Sequence, residues 1–123
     1  MTGFTGPDDC GNAPRKLLLH DFYKAVYRGE TQYLTDFLHE EFVWEFPGGT
    51  IQTDKEAALK YLSQYYASRM RQLTIAKMIT HGADAAVSGT VLTESGLVYH
   101  FCDILTFSSA ASSMIKHISS FQR

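Results

Sequence analysis

Cysteine is scarce in this chain of 123 residues: Cys10 and Cys102 stand alone, too few for a disulfide framework, and both are read as free thiols of a reducing compartment. Basic surplus is absent as well. Eleven Lys and Arg face thirteen Asp and Glu, and Arg69-Met70-Arg71 is too short for a phosphate-binding stripe, which argues against nucleic acid as a partner. There is no apolar run of transmembrane length, and the first residues have neither a basic n-region nor an apolar h-region, so a membrane partner is not expected and the cytoplasm is the expected location. The histidines at 20, 39, 81, 100 and 117 lack a metal-ligand spacing such as H-E-x-x-H, and no G-x-G-x-x-G signature joins a strand to a helix. Neither a metal nor a cofactor is therefore expected.

Aromatic residues are plentiful, with eight Phe, seven Tyr and one Trp. Tyr and Trp carry a polar handle that a closed core must satisfy, so some are expected to line a cavity or an interface. The apolar rhythm also changes along the chain. It is helical up to about Arg71 and strand-like from Leu73 to Phe121, with one strand-like segment, Phe42-Val43-Trp44-Glu45-Phe46, set among the helices. Helices followed by a strand meander predict an α+β domain in which a curved, mostly antiparallel sheet carries helices across one face and a pocket for a small molecule.

Residues 1–14 hold three Gly, two Pro and only Phe4 as a large anchor, and are expected to be a flexible tail or an arm that packs on a partner. A single domain is expected over 15–123. Leu18, Leu19, Phe22, Ala25 and Val26 mark the buried side of a first helix that Gly29 ends. A short second helix over 31–38 turns Leu34, Phe37 and Leu38 inward. Thr53-x-x-Glu56 has capping-box spacing ahead of a third helix over 54–70. Strands are predicted at 73–81, 85–93, 97–107 and 113–122; short links at Gly82-Ala83-Asp84 and Glu94-Ser95-Gly96, and a longer polar one over 108–112, favour neighbouring antiparallel pairs. The strand containing Trp44 is expected at an edge.

The segments Phe42-Val43-Trp44-Glu45-Phe46-Pro47-Gly48, Phe101-Cys102-Asp103-Ile104-Leu105-Thr106-Phe107 and Ile115-Lys116-His117-Ile118, taken with element order and length, resemble the SnoaL-like and ketosteroid-isomerase-like branch of the NTF2-like superfamily. The resemblance covers about residues 15–122. It implies a cone-shaped fold in which three helices close an apolar cavity, and a homodimer that pairs the outer sheet faces. Placed on the ketosteroid isomerase pattern, the neutral-acid position falls on His100, the general-base position on Phe46 beside Glu45, and the oxyanion tyrosine near Phe22 with Tyr23 adjacent. None of the three keeps the side chain of that pattern.

Catalytic candidates follow from chemistry that a small cavity can support. A carboxylate or imidazole in apolar surroundings titrates near the working pH and can take a proton from carbon beside a carbonyl. His100 and Asp103 lie on opposite faces of one predicted strand, and which of them meets the cavity depends on which face is inward. His100 is the favoured of the two; Asp103 has the alternative of a structural pairing, with His117 as one partner. Tyr65 is the expected hydrogen-bond donor to an enolate oxygen. Trp44, Phe46, Tyr61, His20, Phe22 and Ile118 are the expected ligand contacts. The reading is a cofactor-independent enzyme that moves a proton on an apolar or cyclic carbonyl compound, giving isomerisation, cyclisation or elimination. The alternative is a binding protein for a small apolar ligand, or a homodimeric interaction module of the same fold.

Overall fold

The computed structural model describes residues 3–5, 14–46, 51–52, 54–62 and 69–123. Its elements run β1 (Phe4–Thr5), α1 (Pro14–Arg28), α2 (Thr31–Thr35), β2 (Leu38–Glu45), β3 (Ile51–Gln52), α3 (Lys55–Tyr61), β4 (Met70–His81), β5 (Asp84–Thr93), β6 (Val98–Phe107) and β7 (Ile115–Gln122). The seven strands among the described residues form one mixed sheet in the order β1-β4-β5-β6-β7-β2-β3. The expected meander is the middle of it, with β4 to β7 pairing antiparallel in sequence order.

Local chemistry explains the boundaries. Pro at the first turn of α1 gives up a backbone donor that would lack an intrahelical partner anyway. At the other end Gly29 takes φ 65°, and the Glu30 amide reaches back to the Ala25 carbonyl at 3.1 Å, a left-handed cap that glycine adopts without strain. Asp54 caps α3 by accepting from the Ala57 amide at 2.7 Å, one residue beyond the expected Thr53, which lies outside the described residues.

Two boundaries differ from the sequence expectation. Leu38 has helical spacing from Leu34, yet it opens β2, because the Phe37 carbonyl accepts from the Ile115 amide at 2.7 Å and Leu38 pairs with Ile115. A five-residue helix has too few internal bonds to compete with that ladder. Similarly, Met70 belongs to β4 and not to the third helix: it pairs with Thr93 and buries its side chain.

The Trp44 strand is also not at the edge. β2 runs parallel to β7, with Trp44 opposite Ile118, and β3 lies outside it, Trp44 pairing with Gln52. At the far side β1 pairs parallel with β4, so Phe4 and Thr5 are held against Leu73 and Thr74 of the same chain.

The core is formed where the apolar stripe of α1 meets one face of the sheet. Leu19, Phe22, Tyr23, Ala25 and Val26 pack with Leu73, Ile75, Val87, Val91, Phe101, Leu105 and Phe107, joined by Leu38, Phe42 and Trp44 of β2. Gly89 sits within this layer. A Cβ there would overlap the Thr74 carbonyl oxygen and come within 2.9 Å of the Phe101 ring, so the close approach of strand and ring requires glycine. Arg15 closes the end of the sheet, its guanidinium 3.7 Å from the Phe107 ring centroid while it donates to the carbonyls of Ala110 and Ser112.

Candidate functional site

Strand alternation in β6 sends Phe101, Asp103, Leu105 and Phe107 into the core, while His100 and Ile104 lie on the opposite, exposed face. The favoured inward placement of His100 is therefore corrected. Its backbone bonds to Arg123, and its side chain is outside the core that holds Asp103.

Asp103 is only 3% exposed. Tyr23, on the buried stripe of α1 four residues after Leu19, donates its hydroxyl to Asp103 Oδ2 at 2.6 Å. The Tyr23 ring stacks on Phe101, with centroids 6.1 Å apart, and meets Phe22 edge-on at 5.2 Å. Helix and strand thus fix both ends of the bond.

Across the ladder from Asp103 stands Ser120, itself buried. Its Oγ accepts from the Trp44 indole Nε1–H at 2.7 Å. Trp44 continues into an aromatic cluster, 5.0 Å from Phe46 and 5.5 Å from Tyr61, with Phe46 and Tyr61 5.8 Å apart. A polar line, Tyr23 to Asp103 and Ser120 to Trp44, therefore crosses an otherwise apolar interior.

Burial pushes the Asp103 carboxyl up to about 6, with the Tyr23 hydroxyl and then the Ser120 hydroxyl pulling the other way. Ser120 stands opposite Asp103 in the ladder without closing a hydrogen bond to Oδ1, which is buried and has no partner among the described residues. In its carboxylate form the group is an acceptor with one satisfied and one unsatisfied oxygen. Such an oxygen is costly, about 1–3 kcal/mol, unless something donates to it.

The remaining candidates divide plainly. Phe22 is buried between Tyr23 and Phe37, and Ile118 is buried beside Trp44 in the β2–β7 ladder. Phe46 and Tyr61 join Trp44. His20 is half-buried, its ring meeting Phe4 edge-on at 5.0 Å and its Nδ1 4.0 Å from Asp21. Tyr65 lies outside the described residues. His117 does not pair with Asp103: it lies opposite Thr106, and its Nε2 is 3.3 Å from Glu45 at the half-exposed face. The two residues share odd parity, but the ladder pairs Asp103 with Ser120.

Among the described residues no group of His, Cys, Asp and Glu could hold a metal ion, and no helix is long and apolar enough to cross a membrane. Two surface depressions, one of about 670 Å³ by Thr31, Tyr33 and Asp36 and one of about 260 Å³ by Asp21, Lys24 and Arg28, share no lining residue with the Tyr23–Asp103 pair. Ser120 is the site residue that the sequence does not announce. The one signal pointing to it is indirect: a buried indole N–H needs an acceptor, and only strand register names it.

The profile of the SnoaL-like domain matches residues 19–111, and the chain belongs to that family, within the NTF2-like superfamily. A solved structure named as a candidate SnoaL-like polyketide cyclase from Shewanella denitrificans superposes with a TM-score of 0.76 at 13% identity, covering 90% of this chain and 92% of that one. An epoxide hydrolase/cyclase-like enzyme, SalBIII, with a role in pyran ring formation in salinomycin, gives a TM-score of 0.72 at 14% identity over 89% and 90% of the two chains. An NTF-2 like protein of unknown function from Burkholderia xenovorans gives 0.76 at 11% identity over 88% and 81%. No curated protein matches. At these identities the likeness establishes the fold.

Proposed function

We propose that this protein is a small enzyme that moves a proton on an apolar, ring-containing carbonyl compound, with Asp103 as the acid-base group. The observation that carries the reading is the buried carboxyl held by Tyr23 through Oδ2, with Oδ1 left without a partner among the described residues of an aromatic interior. The NTF2-like fold, shared with cyclase-type proteins, supports it as analogy. The ligand is taken to lie in an apolar cavity between sheet and helices. Register shifts in β4 and between β6 and β7 supply bends of the kind that make a sheet concave, and Trp44, Phe46 and Tyr61 offer flat walls to a ring.

In this reading Oδ1 takes a proton from carbon beside the carbonyl. The C–H bond breaks, an O–H bond forms on Asp103, and the electron pair passes to the carbonyl oxygen as an enolate. Return of the proton to a different carbon gives isomerisation. Attack of the enolate carbon on a second carbonyl, whose oxygen then takes the proton, gives cyclisation; collapse of the enolate expels a leaving group, such as hydroxide, from the next carbon with its bonding pair, and that group takes the proton from Asp103, giving elimination. Tyr65 is retained as the proposed donor to the enolate oxygen, on the sequence grounds given above. A carboxyl pushed up to about 6 is a stronger base than an exposed aspartate while still ionised at pH 7.

Proton transfer to carbon leaves a direct trace. Incubated in D2O with a panel of cyclic ketones and enones, the wild-type protein is expected to accelerate exchange of the α-hydrogens seen by NMR, and Asp103→Asn to abolish it. A second reading, a non-catalytic binding protein, is favoured by the closure of the carboxyl and of Trp44, each 3% exposed. Ligand-dependent shifts without exchange in either protein would select it.

Association through the outer sheet face is part of the proposal: Ile79, Val98, Ile104 and Phe121 are exposed there, and a second copy is the proposed partner. A cytoplasmic location is proposed with it, supported by the free thiol of Cys102.

A further inference from the structure

We infer that Trp44 is a positioning residue, which uses its indole N–H to turn the Ser120 hydroxyl toward Asp103 and so holds that carboxyl in its proton-accepting form. The inference rests on the reading of Asp103 as the acid-base group, and it adds how strands outside β6 tune that group.

A serine hydroxyl has one proton to give and two lone pairs to receive, whereas an indole nitrogen can only give. The Trp44 Nε1–H takes one lone pair of Ser120 Oγ at 2.7 Å, so the Ser120 proton is excluded from that direction. Ser120 is 2% exposed, which removes bulk water as a competing acceptor. The residue directly opposite it in the β6–β7 ladder is Asp103. β2 is the third strand of the arrangement: it runs parallel to β7 with Trp44 opposite Ile118, so the indole lies beside the stretch of β7 that carries Ser120 on the same face.

Few other groups compete for control of the carboxyl. From α1, Tyr23 donates to Oδ2, and its buried neighbours Leu19, Phe22 and Val26 are apolar. From β5 the residue opposite is Val87. Within β6, Cys102 lies on the other face, and its thiol is pushed up by burial and then by Asp103. Ser120 is thus the group among the described residues with which β7 can adjust Asp103, and Trp44 the one that fixes Ser120.

The test reads the carboxyl directly, by carbon NMR titration of Asp103 in the substrate-free protein, assigned with Asp103→Asn. Ser120→Ala is expected to weaken the acid about three- to tenfold, because a hydroxyl dipole turned toward the charged form is lost; Ser120→Thr, which keeps the hydroxyl, is expected to restore it. Because the chain has one Trp, replacement of tryptophan by benzothienylalanine during expression removes the N–H at position 44 alone and preserves the ring shape. That protein is expected to show a weakening of the same size and direction, and adding Ser120→Ala to it no further change. An Asp103 titration unmoved by the benzothienyl ring, or additive effects of the two changes, would overturn the inference. The titration is independent of turnover: coupling without hydrogen exchange on any carbonyl compound would refute the proposed reaction alone, and exchange without coupling would refute the positioning role alone.

Discussion

The Tyr23 hydroxyl on α1 and the Asp103 carboxylate on β6, eighty positions apart, meet at 2.6 Å inside the core. The bond ties helix to sheet and satisfies one oxygen of an acid whose other buried neighbours, Ser120 apart, are apolar. Tyr23→Phe keeps the ring stacked on Phe101 but removes the donor, leaving both carboxylate oxygens without a hydrogen-bond partner. We expect a loss of about 1–3 kcal/mol at neutral pH, measured by urea unfolding. The loss should shrink in acid, where the carboxyl is protonated. Equal losses at pH 4 and pH 8 would place the effect in packing.

Stability should also follow Asp103 through its titration. Its carboxyl goes from an ordinary 3.8 to about 6 on folding, so below 3.8 both states are protonated and above 6 both are ionised. Between those values the native state holds the proton and the unfolded chain does not. The fold therefore loses stability as pH rises from about 4 to about 6, by roughly 3 kcal/mol for this one group. Subtracting the pH profile of Asp103→Asn from that of the wild type isolates the contribution. A flat difference across that window would mean that Asp103 folds without holding its proton.

Gly89 makes a separate prediction about the scaffold. Its neighbours on both sides in the ladder are Ile75 and Phe101, and the Thr74 carbonyl occupies the space of a side chain. A backbone oxygen cannot swing aside as a flexible side chain does. Gly89→Ala is expected to cost about 1–3 kcal/mol in chemical denaturation and to displace the Phe101 ring resonances. Unchanged Phe101 resonances would show that the strand shifts and not the ring.

Much of this architecture is legible in the chain because it depends on local periodicity. The alternation of Phe101, Asp103, Leu105 and Phe107, the Leu19–Phe22–Tyr23–Val26 stripe and the glycine at 29 each report a nearby constraint. What periodicity leaves open is which of two equivalent faces is inward, and both faces of β6 are apolar enough to pass. Hence His100 and Asp103 compete on paper, and only the helix packed above them decides. Register is hidden for the same reason: His117 and Ser120 lie on one strand, and only the pairing of β6 with β7, shifted by one residue between Thr106 and Phe107, sets Ser120 opposite Asp103. The short stretch at Leu38 misleads as well, since its helical spacing yields to a backbone ladder with a residue far along the chain.

The outer face carries the last prediction. Ile104 is 41% exposed in the middle of the sheet, flanked in register by Ala86 and Ser119 with Ile79 beyond, while Phe121 lies opposite Cys102 on the next row. A second copy laid on this surface would bury these rows against themselves, and a stable pair needs about 800 Å² from each partner. Ile104→Glu places two charges against each other near the centre of such an interface while leaving the inward face untouched. Light scattering after size exclusion is expected to show a dimer for the wild type and a monomer for the variant, with the same circular dichroism. A wild-type monomer would remove the dimer from the proposal. A variant that stays dimeric would move the interface to another surface, and the buried pair of Tyr23 and Asp103 would stand in either case, because α1 packs Tyr23 against Asp103 on the opposite face of the sheet.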